Sequence, residues 1–214
     1  LKEHIFNRLE QEIPELPVQT STHVEQHNSI FFKRDRIYHH NLARFNYTTY
    51  DVRRAQDVIN PKTSHCNIML LKHDRDDGHG GDFLFAKVIG IHHVNVVRSA
   101  NVYKSQRMEF LFVRWYESTQ NHAWGTRTLG RVRFRPLASQ DAFGFVDPSA
   151  VLRACHIIPA FARHQRNPGD CGISPLAGDK HDWLEYYINR WIHLNSVITM
   201  ITNTAVQALS IVTS

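Results

Sequence analysis

Residues 82–97 read DFLFAKVIGIHHVNVV, and the alternation in this run decides the fold class. Phe83, Phe85, Lys87 and Ile89 alternate with Leu84, Ala86, Val88 and Gly90. Successive side chains of a strand point to opposite faces, and both faces here are partly apolar, as in a central strand of a small barrel. Outward from it lie further strand runs: HCNIMLL (65–71), RMEFLFVRWYE (107–117) and RVRFRPL (131–137). SIFFK (29–33), a turn at Arg34-Asp35 and RIYHHNLARFNYTTYDV (36–52) form a hairpin pattern rich in β-branched and aromatic residues. VRRAQDVINP (52–61) reads as a short helix or loop ended by Pro61. FVDPSAVLRACHIIPAF (145–161) carries a Pro-initiated turn, a short helical or 3₁₀ segment and a closing strand that ends at Pro159.

The ends differ from this middle. Residues 1–12, LKEHIFNRLEQE, place Leu1, Ile5 and Leu9 on one helical face, and Pro14 and Pro17 stop the helix. Residues 18–28 are polar linker. HDWLEYYINRWIHLN (181–195) fits helix or strand. The last stretch, NSVITMITNTAVQALSIVTS (195–214), has no charge. A membrane span needs roughly 20 mostly apolar residues. Ser, Thr, Asn and Gln interrupt this run throughout, so it reads as a packed strand or helix, or a degenerate tail, and no membrane partner is expected. The organisation is an N-terminal helix and linker (1–28), a β-barrel-like domain (29–162), a loop and C-terminal aromatic element (163–194) and an uncharged tail (195–214).

The chain has 214 residues, of which 42% are apolar, enough for a sizeable core and against extended disorder. Twenty-five Lys plus Arg against twenty Asp plus Glu leave a net charge of +5. Arg outnumbers Lys, which suits bidentate contacts to phosphate or carboxylate. Cys66, Cys155 and Cys171 form no CxxC, and their odd number opposes a disulfide framework, which favours a reducing compartment. No signal-peptide pattern opens the chain, and Leu stands first, so it reads as a piece of a longer protein.

Chemistry-bearing residues each have two readings. The loop His73-Asp74-Arg75-Asp76-Asp77-Gly78-His79 offers oxygen and nitrogen donors for Mg²⁺ or Zn²⁺, but it lacks the EF-hand spacing, Arg75 opposes a cation, and a solvated loop is the plainer reading. His65-Cys66 and Cys155-His156 suggest a Cys₂His₂ zinc site. Adjacent side chains on a strand diverge, however, so buried thiols explain them better. His39-His40 and His92-His93 meet the same geometric objection. No G-x-S-x-G, P-loop or G-x-G-x-x-G occurs, and Asp51, Asp57, Glu109 and Asp147 show no nuclease-triad spacing. The chain is expected to be non-catalytic, with no cofactor and no metal.

Two surface readings remain. Trp115, Tyr116, Tyr103 and Trp124 flank one strand end and the loop after it. There they either pack in the core or cage a methylated ammonium by cation–π attraction. Arg131, Arg133 and Arg135 recur at period two, so a strand would point all three to one side and Val132 and Phe134 to the other. Their spacing of about 6–7 Å is of the order of the step between phosphates on one nucleic-acid strand. Arg53, Arg54, Arg163 and Arg166 would extend the positive surface. The alternative is a solvated edge strand protected by charge.

NYTTYDVRRAQDVINPKTSHCNIMLL, FLFAKVIGIHHVNVV, RMEFLFVRWYE, DAFGFVDPSAVLRACHIIPAFA and DWLEYYINRW, in that order and spacing, resemble the C-terminal region of fungal (basidiomycete) Plavaka-type transposases of the Kyakuja–Dileera–Zisupton group. The similarity covers about residues 1–193 and departs after Ile192, where the family continues with a charged segment and this chain turns uncharged. The resemblance implies an accessory region downstream of an integrase-like nuclease core, hence a nuclear protein acting on DNA. Val113, Arg114, Trp115 and Tyr116, with Leu152, Cys155, His156 and Ile157, are also similar to two strand motifs of bromo-adjacent-homology (BAH) chromatin domains. Glu117-Ser118 replaces the usual Arg-Pro of the first motif. Together these give a mainly β (α+β) expectation: a small BAH-like or SH3-like β-barrel with N- and C-terminal helical additions. The expected function is DNA docking through the Arg-rich strand. The alternative is a chromatin or histone-tail reader, or a protein-interaction module that could also meet the transposase catalytic core.

Overall fold

The computed structural model describes residues 1–12, 30–48, 54–72, 83–98, 101–119, 129–167, 172–189 and 209–212. In chain order the elements are α1 (Lys2–Glu12), β1 (Ile30–His40), β2 (Leu42–Thr48), β3 (Arg54–Ile59), β4 (Asn67–Leu71), β5 (Phe83–Arg98), β6 (Asn101–Ser118), β7 (Arg131–Phe134), β8 (Phe143–Val146), β9 (Val151–Cys155), β10 (Ile157–Pro159), β11 (Tyr186–Ile188) and β12 (Leu209–Val212). Three 3₁₀ turns, Pro148–Ala150, Phe161–Arg163 and Asp179–His181, punctuate the second half. The protein is mainly β, as expected. Packing divides it into two compact units, Leu1–His39 with His92–Phe110, and His40–Ile91 with Leu111–Ser214.

In the smaller unit α1 buries Ile5 and Leu9, the face its periodicity marks. Arg98 donates to the Leu9 carbonyl at 3.1 Å and Arg8 donates to the Glu109 carbonyl, so two arginines tie helix to strand. β1 lies beside β5. Within β1, Arg34 and Asp35 both have positive φ, 63° and 50°. The expected hairpin turn is not formed there: Ile30–His40 is one strand, and the two positive-φ residues are a local irregularity inside it.

The larger unit is built on a sheet ordered β10-β11-β7-β6-β5-β4-β9, with β8 also on β6. β9 pairs with β4 and β10 pairs with β11, and only His156 separates β9 from β10. The chain through His156 therefore joins the two ends of the path and the sheet becomes a nearly closed barrel. Its interior is Met69, Phe85, Tyr116, Val132, Phe134, Cys155, Ile157, Tyr186 and Ile188. A second sheet, β12-β2-β3, supplies Ala43, Phe45 and Ile59 to another core. They pack there with Ile68, Leu70, Ala86, Val88, Leu111 and Val113. β4 and β5 are thus buried on both faces, which is why neither shows a clean polar side.

Several expectations change. VRRAQDVINP contains a strand, β3, not a helix or loop: residues 54–59 pair antiparallel with β2 from Thr48↔Arg54 to Ala43↔Ile59. The alternation of exposed Arg54, Gln56 and Val58 with less exposed Ala55, Asp57 and Ile59 is the period of two that the helical reading missed. Of the C-terminal aromatic element, Tyr186–Ile188 is strand β11, and among the described residues the helical elements on that side are the short 3₁₀ turns Phe161–Arg163 and Asp179–His181. Within the uncharged tail, Leu209–Val212 pairs antiparallel with Leu42–Phe45. Among the described residues no helix is long and apolar enough to cross a membrane.

Candidate nucleic-acid interface

β7 carries the arginine row. Val132 and Phe134 are 3% exposed and point into the barrel, as the alternation predicts. Phe134 stacks on Tyr116, its partner across the β6 register, at 4.1 Å between centroids. Those two anchors leave Arg131, Arg133 and Arg135 on the outer wall. Pro136 follows and has no N–H to extend the ladder. The chain then turns and returns along β6 as β8, where Leu111↔Val146 and Arg114↔Phe143 bound the register.

The row is not a bare line of cations. Arg131 contacts Glu185 at 3.0 Å, Arg133 contacts Glu117 at 2.6 Å, and Arg135 contacts Asp141. Arg163, exposed on its 3₁₀ turn, lies 3.6 Å from the same Glu185. The Ser139 hydroxyl foremost, together with Arg135, holds the Asp141 carboxyl below its ordinary range. Glu117 is the register partner of Arg133, so one pair is a direct cross-strand neighbour. An exposed pair such as Arg133–Glu117 contributes only about 0.2–1 kcal/mol. Such pairs position the guanidiniums without committing them, and a phosphate can replace a carboxylate as partner. Sequence reading finds the arginines and misses the acids, because Glu185 lies 54 residues from Arg131 in sequence.

Tyr187 is a second residue that sequence reading missed. It is the register partner of Arg131 and of Ile158, and it is half-buried while its neighbours Tyr186 and Ile188 are buried. The ring therefore belongs to the outer wall beside the arginines. Alternation in YYI is the signal that separates Tyr187 from Tyr186.

Of the aromatic quartet, Trp115 and Tyr116 are not brought together. Tyr116 is 5% exposed inside the barrel and donates to Asn67 Oδ1 at 3.2 Å, and burial pushes its phenol well up. Trp115, one residue earlier, points to the other face and packs on the core shared with the second sheet. Adjacent strand residues cannot share one cage wall. The side chain of Tyr103 and all of Trp124 lie outside the described residues, as does Arg53. Arg54 is exposed on β3, in the second sheet, and is not brought into the row.

The remaining candidates resolve as follows. Cys66 and Cys155 are buried, and burial pushes both thiols up, which is the setting of inert core cysteines. His65 and His156 beside them are exposed, so each pair does diverge. Among the described residues no three His, Cys, Asp or Glu side chains converge as a metal site. The loop 73–79 and Cys171 lie outside the described residues.

Behind the wall is a buried ion pair. Arg114, fully buried, donates to Asp182 Oδ2 at 2.7 Å, and its guanidinium lies 3.9 Å from the Phe134 ring centroid. Burial pushes the Asp182 carboxyl up against the pull of Arg114. Asp179, also buried, accepts the backbone N–H groups of Ile173 and Ser174 at 2.7 and 2.8 Å. These acids hold the segment leading into β11 and so fix where Glu185 and Tyr187 stand. Comparison with protein-family models, curated proteins and solved structures finds no match to this chain.

Proposed function

We propose that this chain is a non-catalytic accessory domain of a fungal DNA-transposon protein, acting in the nucleus, which docks on DNA through the outer wall of β7. The observation that carries the reading is the alignment of Arg131, Arg133 and Arg135 on one face, anchored by buried Val132 and Phe134. The transposase resemblance supports the partner. Contacts of this type position a protein on the nucleic-acid backbone and read little sequence. The test is fluorescence anisotropy with a labelled duplex of about 20 base pairs at two salt concentrations. Docking predicts binding that collapses between about 50 and 200 mM salt and is lost in the triple Arg131→Gln, Arg133→Gln, Arg135→Gln variant. Absence of binding at low salt overturns it.

A protein-interaction role is the second reading. Phe161, Ile173, Leu176 and Leu184 are 66%, 80%, 63% and 47% exposed, around the segment that Asp179 and Asp182 hold. A histone tail or the transposase catalytic core would meet these apolar side chains, and binding would then be nearly independent of salt. Isothermal titration with histone-tail peptides and with the catalytic core separates the two readings.

A further inference from the structure

The outer wall carries four guanidiniums, of Arg131, Arg133, Arg135 and Arg163, against the three carboxylates of Glu117, Asp141 and Glu185. Among the described residues its local excess is one positive charge, so phosphate contact supplies a weak, salt-sensitive hold on a duplex. The wall is also the outer face of three short strands of four, three and three residues. None of them is a helix or a long ribbon of the kind that enters a major groove. What it does offer is a ring among the cations: Tyr187 stands across the ladder from Arg131, on the same face, with Arg133 one strand period further. A duplex keeps its base faces stacked inside and presents none to such a ring. A single strand presents every base face, and arginines interleaved with aromatic rings are the usual platform for it. Neighbouring arginines about 6–7 Å apart leave one nucleotide step between phosphates, the space in which a base would meet Tyr187.

We infer that the preferred ligand of this wall is single-stranded nucleic acid, with a base stacked on Tyr187 and flanking phosphates exchanging with Glu185 and Glu117 for Arg131 and Arg133. The inference rests on the docking reading and narrows its partner from duplex to exposed strand.

The test is anisotropy at low salt with labelled oligothymidine and with a duplex of equal length, using wild type, Tyr187→Phe and Tyr187→Val. The expected result is about tenfold tighter binding of the single strand, kept by Tyr187→Phe and lost in Tyr187→Val. Photocrosslinking of the wild type with 5-iodouracil-substituted oligonucleotide decides the matter should the valine variant not fold. A crosslink at Tyr187 supports the inference, and crosslinks elsewhere only overturn it. Equal or tighter duplex binding overturns the single-strand inference and leaves docking standing. No binding of either probe overturns both.

Discussion

Asp57 of β3 and Arg153 of β9 join the two sheets of the larger unit where no backbone ladder does. Arg153 Nε donates to Asp57 Oδ2 at 2.8 Å, and the same oxygen accepts the Ala154 N–H at 2.8 Å. The guanidinium also lies 3.6 Å from the Tyr47 ring centroid on β2. The side chains are 5% and 14% exposed, so the pair is nearly dry. Removing one partner of such a pair strands the other charge, whereas removing both does not. Asp57→Ala should therefore destabilise the protein by about 3 kcal/mol, and Asp57→Leu with Arg153→Met should recover most of that. Urea midpoints of the single and double variants measure it. Additive losses in the double variant would show that the two residues act independently.

A second prediction concerns acid. Burial by itself would push the Asp179 carboxyl up, but the N–H groups of Ile173 and Ser174, with Arg114 nearby, outweigh it and hold the group below its ordinary value. A carboxyl lowered in the folded state contributes stability that is present above its unfolded value, about 3.9, and is lost as pH falls through the lowered value. The segment around residues 172–184 should lose amide protection at Ile173 and Ser174 below about pH 4. In Asp179→Asn that protection should be weaker and flat with pH. Hydrogen exchange across this range reads both, and an unchanged pH profile in the variant would assign the acid response to another group.

Much of this architecture was legible in the chain because period two survives wherever one face is solvated. β7 is the clearest case, with Val132 and Phe134 in and three arginines out. The break at Arg34-Asp35 was misread as a hairpin turn, because β1 runs on through it as one strand with two positive-φ residues. β3 was not legible, because its alternating residues include Asp57, whose inward role depends on Arg153, 96 residues away in sequence. Trp115 and Tyr116 part on the same physics that located the arginines: they are neighbours in sequence and therefore on opposite faces. The acids that neutralise the row come from β6, the β7–β8 turn and the residue before β11, and only the barrel register brings them together.

Gly144 tests how Trp115 is seated. A Cβ added at this position would stand 2.5 Å from the indole Nε1 and 3.3 Å from Cε2. The indole is rigid and packed against the core shared with the second sheet, so it cannot give way locally. Gly144→Ala should cost about 1–3 kcal/mol by overpacking and shift the tryptophan emission. Thermal melts with fluorescence detection check both. Wild-type stability in this variant would mean that β8 moves outward more easily than its pairing with β6 implies.

The carboxylates on the wall give the sharpest test of the arginines' role. If Arg131 and Arg133 exchange Glu185 and Glu117 for phosphates, those two acids compete with the nucleic acid and also repel it. Neutralising them by Glu117→Gln and Glu185→Gln removes both effects while keeping the side-chain shape. Loss of the exposed Arg133–Glu117 pair should cost the fold no more than about 1 kcal/mol, and loss of the part-buried Arg131–Glu185 pair somewhat more. Binding of a labelled oligonucleotide should tighten by about tenfold in the double variant, with a steeper dependence on salt because more cationic charge faces the phosphates. A wall whose arginines serve only to hold the strands together gives the opposite pattern: lower stability and no gain in binding. Anisotropy titrations at three salt concentrations, beside a urea melt of the same variant, distinguish the two.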